Sequence, residues 1–273
     1  YHPRELTREP QAIGTGCDGS GVCGRRKRLP ALPRSDGRPA HHRRVALPRF
    51  LDGRPFDGDP RNLLASILDK FAARKLYPVA AFEMEFYLAD PGFHDGPMPQ
   101  TAMSRLTGAK NIRDGVYSLE DLNDHDALLN DIYDCCQLQD VAADAAISEA
   151  GLGQFEINLL HGSDCLKIAD DAMLYKQITK GVARKHGLAA SFMAKPYADR
   201  PGNGMHVHLS IRDQHGRNIF DDNSDVGSAA MQHAVAGLLA AMPESMLIFA
   251  PHHNSYRRFA IESHAPMAAC WGY

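Results

Sequence analysis

The chain has 273 residues, 44% of them hydrophobic and 23% charged, with a formal net charge of −3. That apolar content can bury a core for one large domain or two ordinary ones, and the charged fraction is ordinary for a soluble protein. No apolar run reaches membrane-spanning length: the longest candidates, such as Ala234–Met242, are about half of what a bilayer needs. Tyr1–Pro10 is polar and does not read as a signal peptide. The six cysteines contain no CxxC spacing and include the adjacent pair Cys135 and Cys136, so they suggest neither a disulfide framework nor a zinc site. A reduced, cytoplasmic protein is expected.

The charge is unevenly distributed. Residues 1–50 carry 11 Lys/Arg against 4 Asp/Glu, and the remainder carries a balance of −10. The first segment has no sustained apolar period and is interrupted by Pro3, Pro10, Pro30, Pro33, Pro39 and Pro48. Such a stretch buries too little surface to offset its chain entropy. Residues 1–49 are therefore expected to be an irregular, disordered segment, with Arg25-Arg26-Lys27-Arg28 a solvated run rather than a nucleic-acid or targeting patch. A misassigned or out-of-frame start is the other reading of this segment.

Order is expected from residue 50 onward. Leu63, Leu64, Ile67, Leu68 and Phe71 recur at helical spacing and predict a helix over Arg61–Leu76. Ser118-Leu-Glu-Asp121 resembles a capping box and predicts a helix running to about Leu138. Asp164 can cap a third helix, with Leu166, Ala169, Met173, Ile178 and Val182 inward and Gly187 ending it. A fourth is predicted over Ser228–Met242, stopped by Pro243.

Three stretches between these helices alternate with period two. Phe82, Met84, Phe86 and Leu88 alternate with Glu83, Glu85 and Tyr87; Phe155, Ile157 and Leu159 with Gln154, Glu156 and Asn158; Met205, Val207, Leu209 and Ile211 with His206, His208 and Ser210. Each polar set therefore lies on one face of its strand. Taken singly, each reads as the solvated face of a half-buried strand. Together they are unusual, because the polar faces offer three glutamates and two histidines and no Lys or Arg. Two carboxylates at i and i+2 lie only about 7 Å apart. Hard divalent cations bound through carboxylate oxygens and imidazole would remove the repulsion, and a pair of them suits phosphoryl transfer.

These residues carry a family resemblance. Glu83-Met-Glu85-Phe, Glu149-Ala-Gly-Leu-Gly-Gln-Phe-Glu156, Lys195-Pro196, Gly202-Asn-Gly-Met-His206-Val-His208-Leu-Ser210 and Asn254-Ser-Tyr-Arg-Arg258 stand in the order of the motifs of the glutamine synthetase superfamily. The similarity runs from about Asp52 to the last residue, and Gly115–Leu122 and Ser191–Pro196 most resemble the γ-glutamylputrescine (polyamine) synthetase branch. It implies an α+β fold, a curved antiparallel sheet with flanking helices, forming a partial catalytic domain over residues 50–273.

The resemblance also implies an activity: an ATP-dependent ligase that phosphorylates the side-chain carboxylate of glutamate and lets an amine displace phosphate from the γ-glutamyl phosphate. Two Mg²⁺ or Mn²⁺ ions would neutralise phosphate oxygens. By this likeness Glu85, Glu149 and Glu156 would hold one ion, and Glu83 and His206 the other. His208 and Ser210 would lie near the nucleotide, Gly202 against glutamate, and Arg258 would pair with a glutamate or phosphate oxygen. The family assembles as stacked rings with a small β-grasp domain first, which residues 1–49 do not resemble; the ring is therefore not expected to carry over. One metal site is expected to be incomplete and the chain, read as truncated at both ends, to be inactive by itself. His264 stands where ammonia-using relatives carry a flap glutamate, and Pro201 where they commonly have Asn, so an organic amine is expected in preference to ammonia. Glu262 swinging in to replace the carboxylate is the competing reading. An ammonia-using glutamine synthetase and an inactive, non-catalytic relative are the alternative functions.

Overall fold

A computed structural model describes residues 55–56, 58–92, 100–104, 107–108, 115–260 and 265–272. The irregular segment expected over residues 1–49 lies outside them, as do Glu262 and His264. The fold is α+β, built on a six-stranded antiparallel sheet. Its strands are β1 (Tyr77–Asp90), β2 (Gln100–Thr101), β3 (Ala143–Ser148), β4 (Gln154–Leu159), β5 (Ala189–Ser191) and β6 (Met205–Arg212).

The long strand β1 is central. Glu83 is paired with Asn158 of β4 and with His206 of β6, so these two strands flank β1 on opposite edges. Tyr87 is likewise paired with Gln154 of β4 and Ser191 of β5, which puts β5 beside β6. All three alternating stretches are strands, but β1 is twice as long as the alternation suggested. Its first half, Pro78-Val-Ala-Ala81, is buried and gives no alternating signal. The strands β2, β3 and β5 carried none either: two are three residues or fewer, and Ala143-Asp-Ala-Ala-Ile-Ser148 is rich in alanine, a weak strand former.

The helices are α1 (Pro60–Ala73), α2 (Leu119–Asp124), α3 (Asp126–Leu138), α4 (Cys165–Lys185), α5 (Ala229–Ala241) and α6 (Met246–Phe249). Asp59 caps α1 through the backbone N–H groups of Arg61 and Asn62, with Pro60 in the first turn. This helix ends before the expected Leu76 because Lys75 takes the left-handed conformation, φ 58°. The single helix expected over residues 118–138 is two. Ser118 does cap it, accepting from the Asp121 N–H at 3.2 Å, but the run breaks at His125, whose N–H bonds Leu122 O. Its ring Nδ1 lies 3.2 Å from Asp121 O, the carbonyl an unbroken helix would bond.

The cap of α4 by Asp164 and its end at Gly187, φ 68°, are as expected. The inner face is as expected at Ile178 and Val182 but not at Leu166, Ala169 and Met173. Ile168, Ala172, Tyr175, Ile178 and Val182 are buried, whereas Met173 is 60% exposed. Aromatic Tyr175, which the apolar count passed over, sets the buried stripe. The core lies on one face of the sheet, where Met84, Phe86, Leu88, Phe155 and Ile157 meet Leu128, Leu129 and Ile132 of α3 and Tyr175, Ile178 and Val182 of α4. Helix α5 opens at Ser228, which accepts from Met231 N–H, and Pro243 begins a 3₁₀ turn after it; no residue of α5 is buried. Cys136, Cys165 and Cys270 are free thiols. Among the described residues no helix is long and apolar enough to cross a membrane.

Candidate metal and substrate site

The face of the sheet opposite the core carries the polar residues. Direct cross-strand pairs share a face, so the pairings Glu83–Asn158, Glu83–His206, Glu85–Glu156 and Tyr87–Gln154 gather the carboxylates and imidazoles of three strands on one surface. His208 and Ser210 follow on β6, opposite Ala81 and Val79. Glu149 comes from the end of β3, where its N–H bonds Gln154 O at 2.9 Å.

Ligand atoms of Glu83, Glu156 and His206 all lie within 4.8 Å of one another. His206 Nδ1 is 3.1 Å from Glu83 Oε2 and 3.9 Å from Glu156 Oε2. The other oxygen of Glu83, Oε1, lies 2.8 Å from His208 Nε2. Glu83 is thus bracketed by two imidazoles, and His208, assigned from sequence to the nucleotide, stands beside a carboxylate. His161, just beyond β4, meets the His208 ring edge-on at 5.7 Å.

The carboxylates crowd one another. Burial, then the charges of Glu83, Glu149 and Glu85, push the Glu156 carboxyl up to about 7, with His206 opposing. Burial, then Glu85 and more weakly Glu83, raise Glu149 against the Ala150 N–H and His206. A cluster of this kind holds protons or takes up cations. Oxygen donors with one imidazole at this spacing fit a hard divalent ion such as Mg²⁺ or Mn²⁺. The trio that meets most closely joins Glu156 to Glu83 and His206, and Glu156 also pairs directly across the strands with Glu85, beside which the family resemblance set it.

Behind the carboxylates lies a buried amide network that sequence reasoning did not single out. Gln154 donates through Nε2 to Glu85 Oε2 at 2.8 Å, to Gly202 O at 3.1 Å and to Asn203 Oδ1 at 3.2 Å. Gln154 was part of the motif around Glu149 and lies in the alternating polar set of β4, but its type gave no sign that it faces a carboxylate. Gly204 lies against Glu85: a Cβ there would come within 2.7 Å of Glu85 Oε1.

The loop between β5 and β6 brings Gly202 and Arg258 together, since a Cβ on Gly202 would lie 2.9 Å from Arg258 Cγ and Nε and press on Ala194 O. Two hydrogen bonds close this region. Lys195 N–H donates to Asn254 Oδ1 at 2.7 Å, and Asn254 Nδ2 donates to Lys195 O at 2.9 Å. Tyr87 OH donates to Pro201 O at 2.9 Å, and the Arg200 guanidinium stacks on Tyr197 at 4.5 Å. The two motif segments 195–204 and 254–258 thus form one wall beside the carboxylate face.

Residues 57–273 match the family model described as glutamine synthetase, catalytic domain. The chain is 41% identical over 222 residues to the γ-glutamylputrescine synthetase PuuA of Escherichia coli, covering 81% of the chain and 47% of that protein. It is 33% identical over 227 residues to a glutamate–isopropylamine ligase of a Pseudomonas species, covering 82% and 49%. The solved structure of GmaS without ligand superposes with a TM-score of 0.66 at 29% identity, covering 76% of the chain and 47% of that one. The chain spans about half the length of the curated relatives it matches. With the motif residues gathered on one sheet face and the family model matched over most of its length, the chain belongs to the glutamine synthetase family through its catalytic domain.

Proposed function

We propose that the chain is the cation-binding part of an ATP-dependent γ-glutamyl ligase that joins glutamate to an amine through a γ-glutamyl phosphate. The observation that carries this reading is the convergence of Glu83, Glu156 and His206 within 4.8 Å, with Glu85 and Glu149 beside them. Such a cluster suits Mg²⁺ or Mn²⁺, which when bound neutralise phosphate oxygens and lower the barrier to their transfer. On this reading Glu83, Glu85, Glu149, Glu156 and His206 hold the cations, and His208 and Ser210 face the nucleotide. Gly202 lines the glutamate site, and Arg258 offers its planar fork to a carboxylate or phosphate oxygen.

The amine preference follows from the relatives that use putrescine and isopropylamine, together with His264 and Pro201. Ammonium is small and charged and needs carboxylates around it, whereas an alkylamine needs apolar room and fewer negative groups at its head. A histidine at position 264 serves the second need better than the first. A glutamine synthetase using ammonia is the second reading, and the family itself supports it.

Two experiments test the proposal. Titration with Mn²⁺ is expected to show a tight event that Glu156→Ala removes; binding indifferent to Glu149 and Glu156 rejects the ligand set. Because the chain spans about half of each relative, we expect negligible turnover from these 273 residues alone. Activity is therefore assayed in a chimera, with the chain replacing the equivalent residues of the E. coli relative. The chimera is expected to prefer putrescine or a monoamine to ammonium in kcat/KM, and His264→Glu to shift that preference toward ammonium. A clear preference for ammonium in the starting chimera rejects the amine reading.

A further inference from the structure

We propose that Gln154 is a positioning residue that ties Glu85 to the loop at residues 202–204, so that cation binding on the carboxylate face and order in this loop are linked. The proposal rests on the reading of Glu85 as a cation ligand. Gln154 is only 1% exposed, and its partners fix which end of the amide points where. The Gly151 N–H can only donate, and it meets Oε1 at 3.0 Å. The Nε2 end therefore faces Glu85, Gly202 O and Asn203 Oδ1. Asn203, 5% exposed, is oriented by the same logic. Its Nδ2 donates to Ser191 O at 3.0 Å and Met193 O at 2.8 Å, which turns Oδ1 toward Gln154. The polarity of the chain therefore diverges at Gln154 Nε2, which donates on one branch through Asn203 toward two backbone carbonyls near β5 and on the other to a carboxylate on β1.

That polarity determines how Glu85 is presented. Oε2 is taken by Gln154, leaving Oε1, which lies over Gly204 on the same side as His206 Nε2. The backbone adds a second tie, Glu85 N–H to Gly204 O at 3.2 Å. One NH₂ group therefore serves the carboxylate and the Gly202 carbonyl at once. A cation that draws Oε1 moves Oε2 with it. Gln154 must then follow or give up its bond to the carboxylate, the shortest of its three and the one strengthened by charge. Following carries Gly202, and with it the surface proposed to meet glutamate, into a new position relative to the cation. Side chains that hold a metal ligand in place commonly govern its affinity in this way, and such a link acts in both directions.

The test uses the whole 273-residue chain. Mn²⁺ affinity is read from the electron paramagnetic resonance of free Mn²⁺, and loop order from hydrogen exchange of the amides of residues 194–204 with and without Mn²⁺. In the unaltered chain Mn²⁺ is expected to slow exchange in this loop. Gln154→Met keeps the length and removes both donors; it is expected to weaken Mn²⁺ about 10- to 100-fold and to abolish the slowing even when Mn²⁺ saturates. Gln154→Asn, which keeps the amide but is too short to reach, is expected to behave alike and serves if the first variant does not fold. Asn203→Leu leaves the bond from Gln154 to Glu85 in place, so it is expected to loosen the loop without Mn²⁺ and, because the link is reciprocal, to weaken Mn²⁺ but less than the Gln154 variants do. Absence of slowing in the unaltered chain, or unchanged affinity and slowing in a folded Gln154 variant, overturns the link and leaves Glu85 a ligand. Failure of the unaltered chain to bind Mn²⁺, or no effect of Glu85→Ala, overturns the functional reading instead.

Discussion

The two flanks of β1 are built differently. On the β4 side, Phe86, Phe155 and Ile157 are fully buried under α3 and α4. On the β6 side, Met205, Val207 and Leu209 are 54–59% exposed, and the apolar helix α5 buries none of its residues. The candidate site straddles this seam, with Glu83, Glu85 and Glu156 on β1 and β4 and His206 and His208 on β6. The carboxylates therefore sit on a scaffold that packing holds rigid. The imidazoles sit on a strand whose hold on the domain is mainly its ladder with β1. A cation bridging Glu83, Glu156 and His206 would fasten the second to the first.

The largest effect that tests this contrast is in the core. Phe155→Ala is expected to cost about 3–5 kcal/mol, while Val207→Ala on β6 should stay within about 0.5 kcal/mol. Urea unfolding followed by circular dichroism reads both, and equal losses would break the comparison. Next comes the seam itself. Gly204→Ala puts a methyl group against Glu85 Oε1 and His206 Nε2. It should weaken Mn²⁺ about tenfold or more with little change in the urea midpoint; unchanged affinity means that Oε1 does not face the cation.

Helix caps give a finer measure. Asp164 caps α4 and Ser228 caps α5 through equivalent side-chain bonds. Asp164→Ala should lower global stability by about 1 kcal/mol, because α4 is part of the cooperative core. Ser228→Ala should leave the midpoint in place and show only as faster hydrogen exchange in α5. A drop in midpoint for Ser228→Ala would show that α5 unfolds with the rest.

The smallest effect is a pH dependence on the packed side. Burial lowers the pKa of His125 below its ordinary 6.5, outweighing the Asp121 carbonyl and the carboxylates of Asp124 and Asp121. Its ring lies edge-on to Phe155 at 5.1 Å. Above 6.5 the ring is neutral in both states. Below it the unfolded chain takes a proton that the folded protein resists, so stability falls as pH drops through 6.5 and levels off below the folded pKa. Urea midpoints at pH 8 and pH 5.5 measure the slope, and His125→Phe should flatten it. An unchanged slope would assign the dependence to another group.

Much of the scaffold was legible because local rules and tertiary packing agree. Asp164 and Ser228 read as caps and are caps. The alternation of β1 and β4 marked both the core face and the polar face, whereas in β6 only Ile211 of the apolar set is buried. Agreement failed where a signal was short or tertiary. His125 breaks a helix because its ring turns onto Phe155 and reaches back to Asp121 O, and nothing in the run around it announces that choice. The inner face of α4 was misread because Tyr175 outweighs Leu166 and Met173, and only the neighbouring Phe192 ring and the sheet reveal how deeply it sits.

By itself the sequence determined the residue types of the site and the faces they occupy. Side-chain direction along a strand has a period of two whatever the strand pairs with, so Glu83, Glu85, Glu156, His206 and His208 were on the polar faces before any fold was known. Their motif order carried the family. The tertiary structure alone decided which of them meet. Register between strands distant in the chain pairs Glu83 with His206 and Glu85 with Glu156. The same register brings Gln154 against Glu85, turning an ordinary strand amide into the link between a carboxylate and a loop. Such contacts depend on how far one strand slides along another. That slide is set by the whole core beneath the sheet, not by the residues that line the site.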